Sequence, residues 1–84
     1  RAEMQLLARA EAALRANEPL SALSILDARE RGSGQLQVER DGLRLIAQCA
    51  LGRDPRNALA RYLSEHRDGV LQGRIRASCA RFLP

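Results

Sequence analysis

Glu18-Pro19-Leu20-Ser21-Ala22-Leu23 is matched 36 residues later by Asp54-Pro55-Arg56-Asn57-Ala58-Leu59, with Pro, Ala and Leu in the same places. At the same offset Glu3 pairs with Glu39, Leu7 with Leu43 and Arg31 with Arg67, and similar types align at Ala10/Ile46, Ala16/Gly52 and Leu26/Tyr62. A fixed period of this length marks a repeat architecture, in which each unit buries its apolar face against its neighbours. It points to binding as the class of function and leaves the partner open.

The residues around the repeated segment read as helices. Leu7, Ala10 and Leu14 form a stripe at three- and four-residue steps, begun by Met4, which predicts a helix from Ala2 to Ala16. Asn17 tolerates the left-handed conformation that ends a helix, and Pro19 suits the first turn of the next. That second helix is predicted from Pro19 to Glu30, with Leu20, Leu23 and Leu26 on its apolar edge and the small Ala22 where it meets the first. Gly32-Ser33-Gly34 predicts a loop that caps a third helix from Gln35 to Leu51. Its stripe of Leu36, Leu43, Ile46, Ala47 and Ala50, flanked by Leu45 and Cys49, is wide enough to imply burial on two sides. Gly42 in its middle predicts a close helix crossing, since glycine there costs about 1 kcal/mol relative to alanine. Gly52 ends this helix. Asp54-Pro55 reads as an N-cap followed by proline at the first turn, opening a fourth helix to His66 that uses Ala58, Leu59, Tyr62 and Leu63. Asp68-Gly69 breaks the chain again. A last helix from Val70 to Phe82 presents Leu71, Ile75, Cys79 and Phe82. The predicted fold is therefore all-α, with two antiparallel hairpins at about 2–31 and 35–67 and a closing fifth helix at 70–82, in a single domain of 84 residues.

Composition narrows the classes further. Only 2% of the chain is aromatic, so the core volume has to come from Leu, Ala and Ile packed between helices. A core of this size leaves a net stability of only a few kcal/mol, which a disulfide or an oligomer would raise. All 14 basic side chains are arginine and, against 10 acidic ones, leave a net charge of +4. The arginines are interleaved with acids, as in Arg29-Glu30-Arg31 and Glu39-Arg40-Asp41, which describes solvated helix faces with local ion pairs. Lysine tracts and aromatics for base stacking are missing, so nucleic acid is the weaker partner class. No apolar run approaches the roughly 18 residues that a membrane span needs.

Together the unit length near the family's roughly 34 residues, the turn formers Asn17 and Gly52, and the following Ala22 and Ala58 resemble a tetratricopeptide repeat. The family's tyrosine maps near Ala13 and Cys49, and its proline after the second helix is replaced by Gly-Ser-Gly and Asp-Gly. A narrower resemblance is to tetratricopeptide-like segments of envelope and regulatory proteins from GC-rich bacteria such as myxobacteria. It is carried by Ala13-Leu14-Arg15-Ala16-Asn17-Glu18-Pro19 with Ala22-Leu23, Glu39-Arg40, Cys49-Ala50-Leu51-Gly52-Arg53 and Arg74-Ile75-Arg76-Ala77-Ser78-Cys79. Such segments often follow a membrane-spanning or regulatory portion. The resemblance implies assembly as the role, and a periplasmic or envelope location ahead of a cytoplasmic one.

In such a stack the first helices of successive units lie side by side and line a concave groove. The resemblance therefore implies a groove set by Arg40, Arg44, Gln48, Arg74 and Arg76, suited to an acidic peptide or a C-terminal carboxylate. The other reading of these arginines is plain solvent exposure. Cys49 and Cys79 fall on the first helices of units two and three, where a disulfide could pin the closing helix; two buried thiols are the alternative. Their spacing and the lack of a histidine nearby do not suit zinc.

No cofactor, metal or catalytic constellation is expected. His66 stands alone at a helix C-terminus, where the helix dipole favours a capping role. Ser64 and Glu65 point to different helix faces and form no triad. The expectation is a non-enzymatic module that holds a protein or peptide partner in a helical groove. A basic domain for nucleic acid or another polyanion, and a self-associating structural unit, are the alternatives.

Overall fold

The computed structural model describes residues 2–27 and 35–83. Five α-helices follow one another: α1 (Ala2–Arg15), α2 (Pro19–Asp27), α3 (Gln35–Ala50), α4 (Arg56–Glu65) and α5 (Gln72–Ser78), with a 3-10 turn at Ala80–Phe82. Among the described residues there is no strand, and the fold is all-α, built of helical hairpins. The end of the second helix at Glu30 and the Gly32-Ser33-Gly34 loop lie outside the described residues.

Both hairpin turns are built alike. Asn17 has φ 61° and Gly52 φ 78°, the left-handed conformation that closes a helix. The Asn17 N–H donates to Leu14 O and the Glu18 N–H to Ala13 O; Gly52 donates to Cys49 O and Arg53 to Gln48 O. These are the paired bonds of a Schellman ending, and they satisfy carbonyls that the helix itself leaves open. Asn17 and Gly52 are thus equivalent, an offset of 35 residues, whereas Pro19 and Pro55 stand 36 apart. The second turn carries one residue more. Asp54 uses it: its carboxylate accepts the Arg56 N–H at 3.0 Å. The N-cap of α4 is nevertheless Pro55 rather than the expected Asp54, because Pro55 O accepts the first helical bond, from the Leu59 N–H at 2.7 Å.

α3 is the centre of the molecule, packing on α1, α2, α4 and α5. Its wide stripe explains this: Leu43, Leu45, Ile46, Ala47 and Cys49 are all buried. One cluster joins Leu7, Ala10, Leu26, Leu43, Leu59, Tyr62, Leu71 and Ile75, and a smaller one holds Ala13, Ala22, Leu23 and Ala47. The small cluster shows why alanine recurs. Ala13 and Ala22 let α1 and α2 approach closely, and Ala47 brings α3 onto both.

The second hairpin does not repeat this contact. At the turn-defined offset of 35, Gln48 stands where Ala13 stands in the first hairpin, and α3 and α4 touch over a shorter stretch than α1 and α2. Ala58, the repeat-mate of the fully buried Ala22, is exposed. It does not join the core as its sequence position predicts. Gly42 does make the expected close crossing: a Cβ there would lie 2.7 Å from Tyr62 Oη and 2.9 Å from Leu71 Cδ1.

Three other expectations are corrected. Met4 and Leu20, read as ends of apolar stripes, are 63% and 61% exposed, because no neighbouring helix among the described residues reaches either end. The last helix begins at Gln72 rather than Val70, which is 87% exposed, and tightens into the 3-10 turn after Ser78. The radius of gyration, 11.8 Å, equals the roughly 12 Å expected of a globular domain this long, so the hairpins and α5 pack compactly about α3.

Candidate functional site

α4 carries two faces. One points into the core through Leu59 and Tyr62, both buried. The other follows from the helix period: Arg56, Ala60 and Leu63 lie at steps of four and three and form a ridge, with the buried Leu59 at its base. This ridge makes one wall of an open cleft of about 580 Å³, and Arg76 on α5 with Arg81, Phe82 and Leu83 beyond it makes the other. Leu63, Phe82 and Leu83, above the buried Leu59, give the cleft an apolar floor, arginines stand around it, and among the described residues no carboxylate lines it.

Several contacts hold α5 in place while leaving that cleft open. Cys49 and Cys79 form a disulfide, Sγ to Sγ 2.06 Å with Cα atoms 5.2 Å apart, and so join the C-terminal turns of α3 and α5. Arg81 Nη2 donates to Cys49 O at 2.9 Å, and its guanidinium lies 5.3 Å from the Phe82 ring centroid. A cation at the end of α3 is favoured by the helix dipole, and Cys49 O accepts the Arg81 N–H alongside that of Gly52. At the other end of α5 the Gln72 amide donates to Leu63 O and His66 O, fastening it to the end of α4. α5 is thus tied to α3 at one end and to α4 at the other, and the cleft lies between these ties.

The residues predicted to set a concave groove are placed differently from one another. Arg40 is 3% exposed, and its Nη2 donates to Leu26 O at 2.6 Å, so it caps α2 from inside the molecule and does not face a groove. Arg44 pairs with Asp27 at 2.7 Å. Arg74 pairs with Glu11, which brings α5 to α1. Gln48 is half-buried and lines a smaller depression of about 260 Å³ between α3 and α4, together with Arg44, Ala58 and His66. Arg76 is the only one of the five that lines the larger cleft. Carbonyls and carboxylates of this chain therefore already occupy Arg40, Arg44 and Arg74. The arginines that line the cleft are Arg56, which pairs with the exposed Asp54 at 3.3 Å, Arg76 and Arg81.

Sequence reading missed Arg56, Ala60 and Leu83 as site residues and took Leu63 and Phe82, which are only partly buried, for core alone; Leu59 is core as expected. A signal for them was present: the Arg56–Leu63 ridge has the helical period but diverges from the stripe through Tyr62. His66 ends α4, with its ring centroid 4.7 Å from that of Tyr62. Tyr62 Oη donates to Val38 O at 3.1 Å. Burial raises the Tyr62 phenol above its ordinary pKa, and the Asp41 and Glu39 carboxylates push it the same way. Among the described residues no helix is long and apolar enough to cross a membrane, and no three His, Cys, Asp or Glu side chains gather as a metal site.

No protein-family model, curated protein or solved structure matches this chain.

Proposed function

We propose that the chain is a non-enzymatic binding module of tetratricopeptide-like type, which holds a partner protein in the cleft between α4 and α5. The open apolar floor of Leu63, Phe82 and Leu83 carries this reading. An apolar groove held open by a disulfide and by side-chain caps on helix ends is a surface organised before any partner arrives, which lowers the ordering cost of binding. The Schellman turns and the 35- to 36-residue period support the repeat class. Because α1 and α5 meet through Glu11 and Arg74, the partner is assigned to the α4–α5 cleft and not to a groove across the first helices.

A polyanion-binding role finds less support. Three of the four groove arginines are engaged within the chain, Arg56 and Arg81 at the cleft also have partners in it, and the cleft floor is apolar. The test is selection of displayed peptides against the wild-type chain, followed by rebinding to Ala60→Arg and to Ala12→Arg. Both positions are exposed, so each variant should keep the fold. Peptides lost on Ala60→Arg and kept on Ala12→Arg support the cleft. A set that binds both variants equally, or no binders at all, refutes it.

A further inference from the structure

The occupant of the cleft has a readable chemistry. We infer that it is an amphipathic helix with an apolar ridge flanked by carboxylates; this rests on the binding-module reading above and specifies its ligand. One wall is the i, i+4, i+7 ridge of Arg56, Ala60 and Leu63, set over the buried Leu59, the kind of surface against which the ridge of another helix packs. Ala60 is small and exposed at its middle, so a helix can approach there as α1 and α2 approach at Ala13 and Ala22. The molecule supplies its own precedent: α3 rests on both α1 and α2, with Ala47 against Ala13, Ala22 and Leu23.

Charge selects among amphipathic helices. Among the described residues Arg56, Arg76 and Arg81 line the cleft and no acidic side chain does. Arg56 is paired with Asp54 and Arg81 bonded to Cys49 O, so Arg76 is the guanidinium that faces a ligand without a partner of its own among them. Arg76 has no ion pair or hydrogen bond among the described residues, and it stands in the last turn of α5. Guanidinium groups beside an apolar floor favour a ligand whose carboxylates flank its apolar ridge, because the ion pairs form at the rim while the ridge is desolvated. A second copy of this chain is a poorer match, since its own net charge is +4.

Three amidated 14-residue peptides decide the matter. Each carries leucine at i, i+3, i+4 and i+7, and the flanking positions are glutamate, glutamine or lysine. Affinity is read by fluorescence anisotropy, and the site by amide shifts of the labelled chain. The glutamate peptide is expected to bind about fivefold more tightly than the glutamine peptide, the yield of one exposed ion pair to Arg76. The lysine peptide should bind most weakly, with shifts centred on Leu59, Ala60, Leu63 and Arg76. Arg76→Glu should reduce the glutamate preference about fivefold without changing the melting curve, and Ala60→Arg should weaken all three peptides.

Equal affinity of the glutamate and glutamine peptides at the cleft would overturn the acidic occupant while leaving the binding-module reading intact. Absence of cleft shifts with every peptide would remove both. A concentration-dependent dimer whose shifts map to the cleft would assign it to a second copy and overturn the proposal.

Discussion

Gly42 and Gly73 are both helical glycines, and replacing each with alanine should change stability in opposite directions. At Gly42 a Cβ would stand 2.7 Å from Tyr62 Oη, 2.9 Å from Leu71 Cδ1 and 3.2 Å from Tyr62 Cζ. The better helix propensity of alanine returns about 1 kcal/mol. Against it, forcing a methyl into a packed crossing costs about 1–3 kcal/mol. Moving the ring also weakens the Tyr62–Val38 hydrogen bond, a further 1 kcal/mol or so. Gly42→Ala should therefore destabilise by about 2 kcal/mol, a fall in Tm of about 8–16 °C for a domain this small. At Gly73 a Cβ meets nothing within 4 Å, so Gly73→Ala should stabilise by about 0.5 kcal/mol. Urea and thermal unfolding, followed by the helical circular dichroism signal, measure both. In a Tyr62→Phe background the shortest contact disappears, and Gly42→Ala should cost about 1 kcal/mol less, a coupling that a double-mutant cycle isolates. If Gly42→Ala raised Tm as Gly73→Ala does, or cost the same with and without the hydroxyl, the close-crossing argument would fail.

Other outcomes follow from the helix ends, the disulfide and the tyrosine. Replacing Cys49 and Cys79 with alanine, or reducing the bond, should cost about 3.6 kcal/mol by the chain-entropy relation for the 30-residue separation; an unchanged urea midpoint would count against a formed bond. Gly52→Asn should be nearly neutral, because Asn17 already performs the same task, whereas Gly52→Val should lose about 1–2 kcal/mol; equal urea midpoints for the two would contradict the left-handed ending. Tyr62 is the only tyrosine, so its absorbance titration is unambiguous, and its midpoint should lie higher in the folded chain than in urea. Because the folded pKa is raised, the stabilisation is fully present below the unfolded value near 10 and declines as pH rises through the folded value. Tyr62→Phe should remove that alkaline slope, and its persistence would exclude Tyr62 as the cause.

The hairpins were legible because their turns are written in residues with few alternatives: Asn17 or Gly52 for a left-handed ending, then proline. Gly42 was legible for the same reason, since a mid-helix glycine calls for something close by. The limits are equally physical. Pro, Ala and Leu repeat at 36, yet the left-handed residues repeat at 35, and periodicity alone does not say which offset governs packing. Gln48 therefore replaced Ala13 at the hairpin crossing, and Ala58 was left outside. Arginine was the least legible residue. The same side chain caps α2 at Arg40, bridges two helices at Arg74 and lines a cleft at Arg76, and only the positions of carbonyls and carboxylates distant in sequence separate these uses.

The bond between Cys49 and Cys79 also determines how the molecule carries force. With the disulfide formed, the whole of α4 sits inside a covalently closed loop. Tension applied between residue 2 and residue 83 bypasses that loop and passes directly from the last turn of α3 to the last turn of α5. About 100 Å of contour length, the 30-residue separation at the extended rise of the chain, stays unavailable to stretching until the sulfurs part. α4 and α5, which form the two walls of the cleft, are therefore both shielded from a pull along the chain, whereas α1 and α2 lie directly in its path.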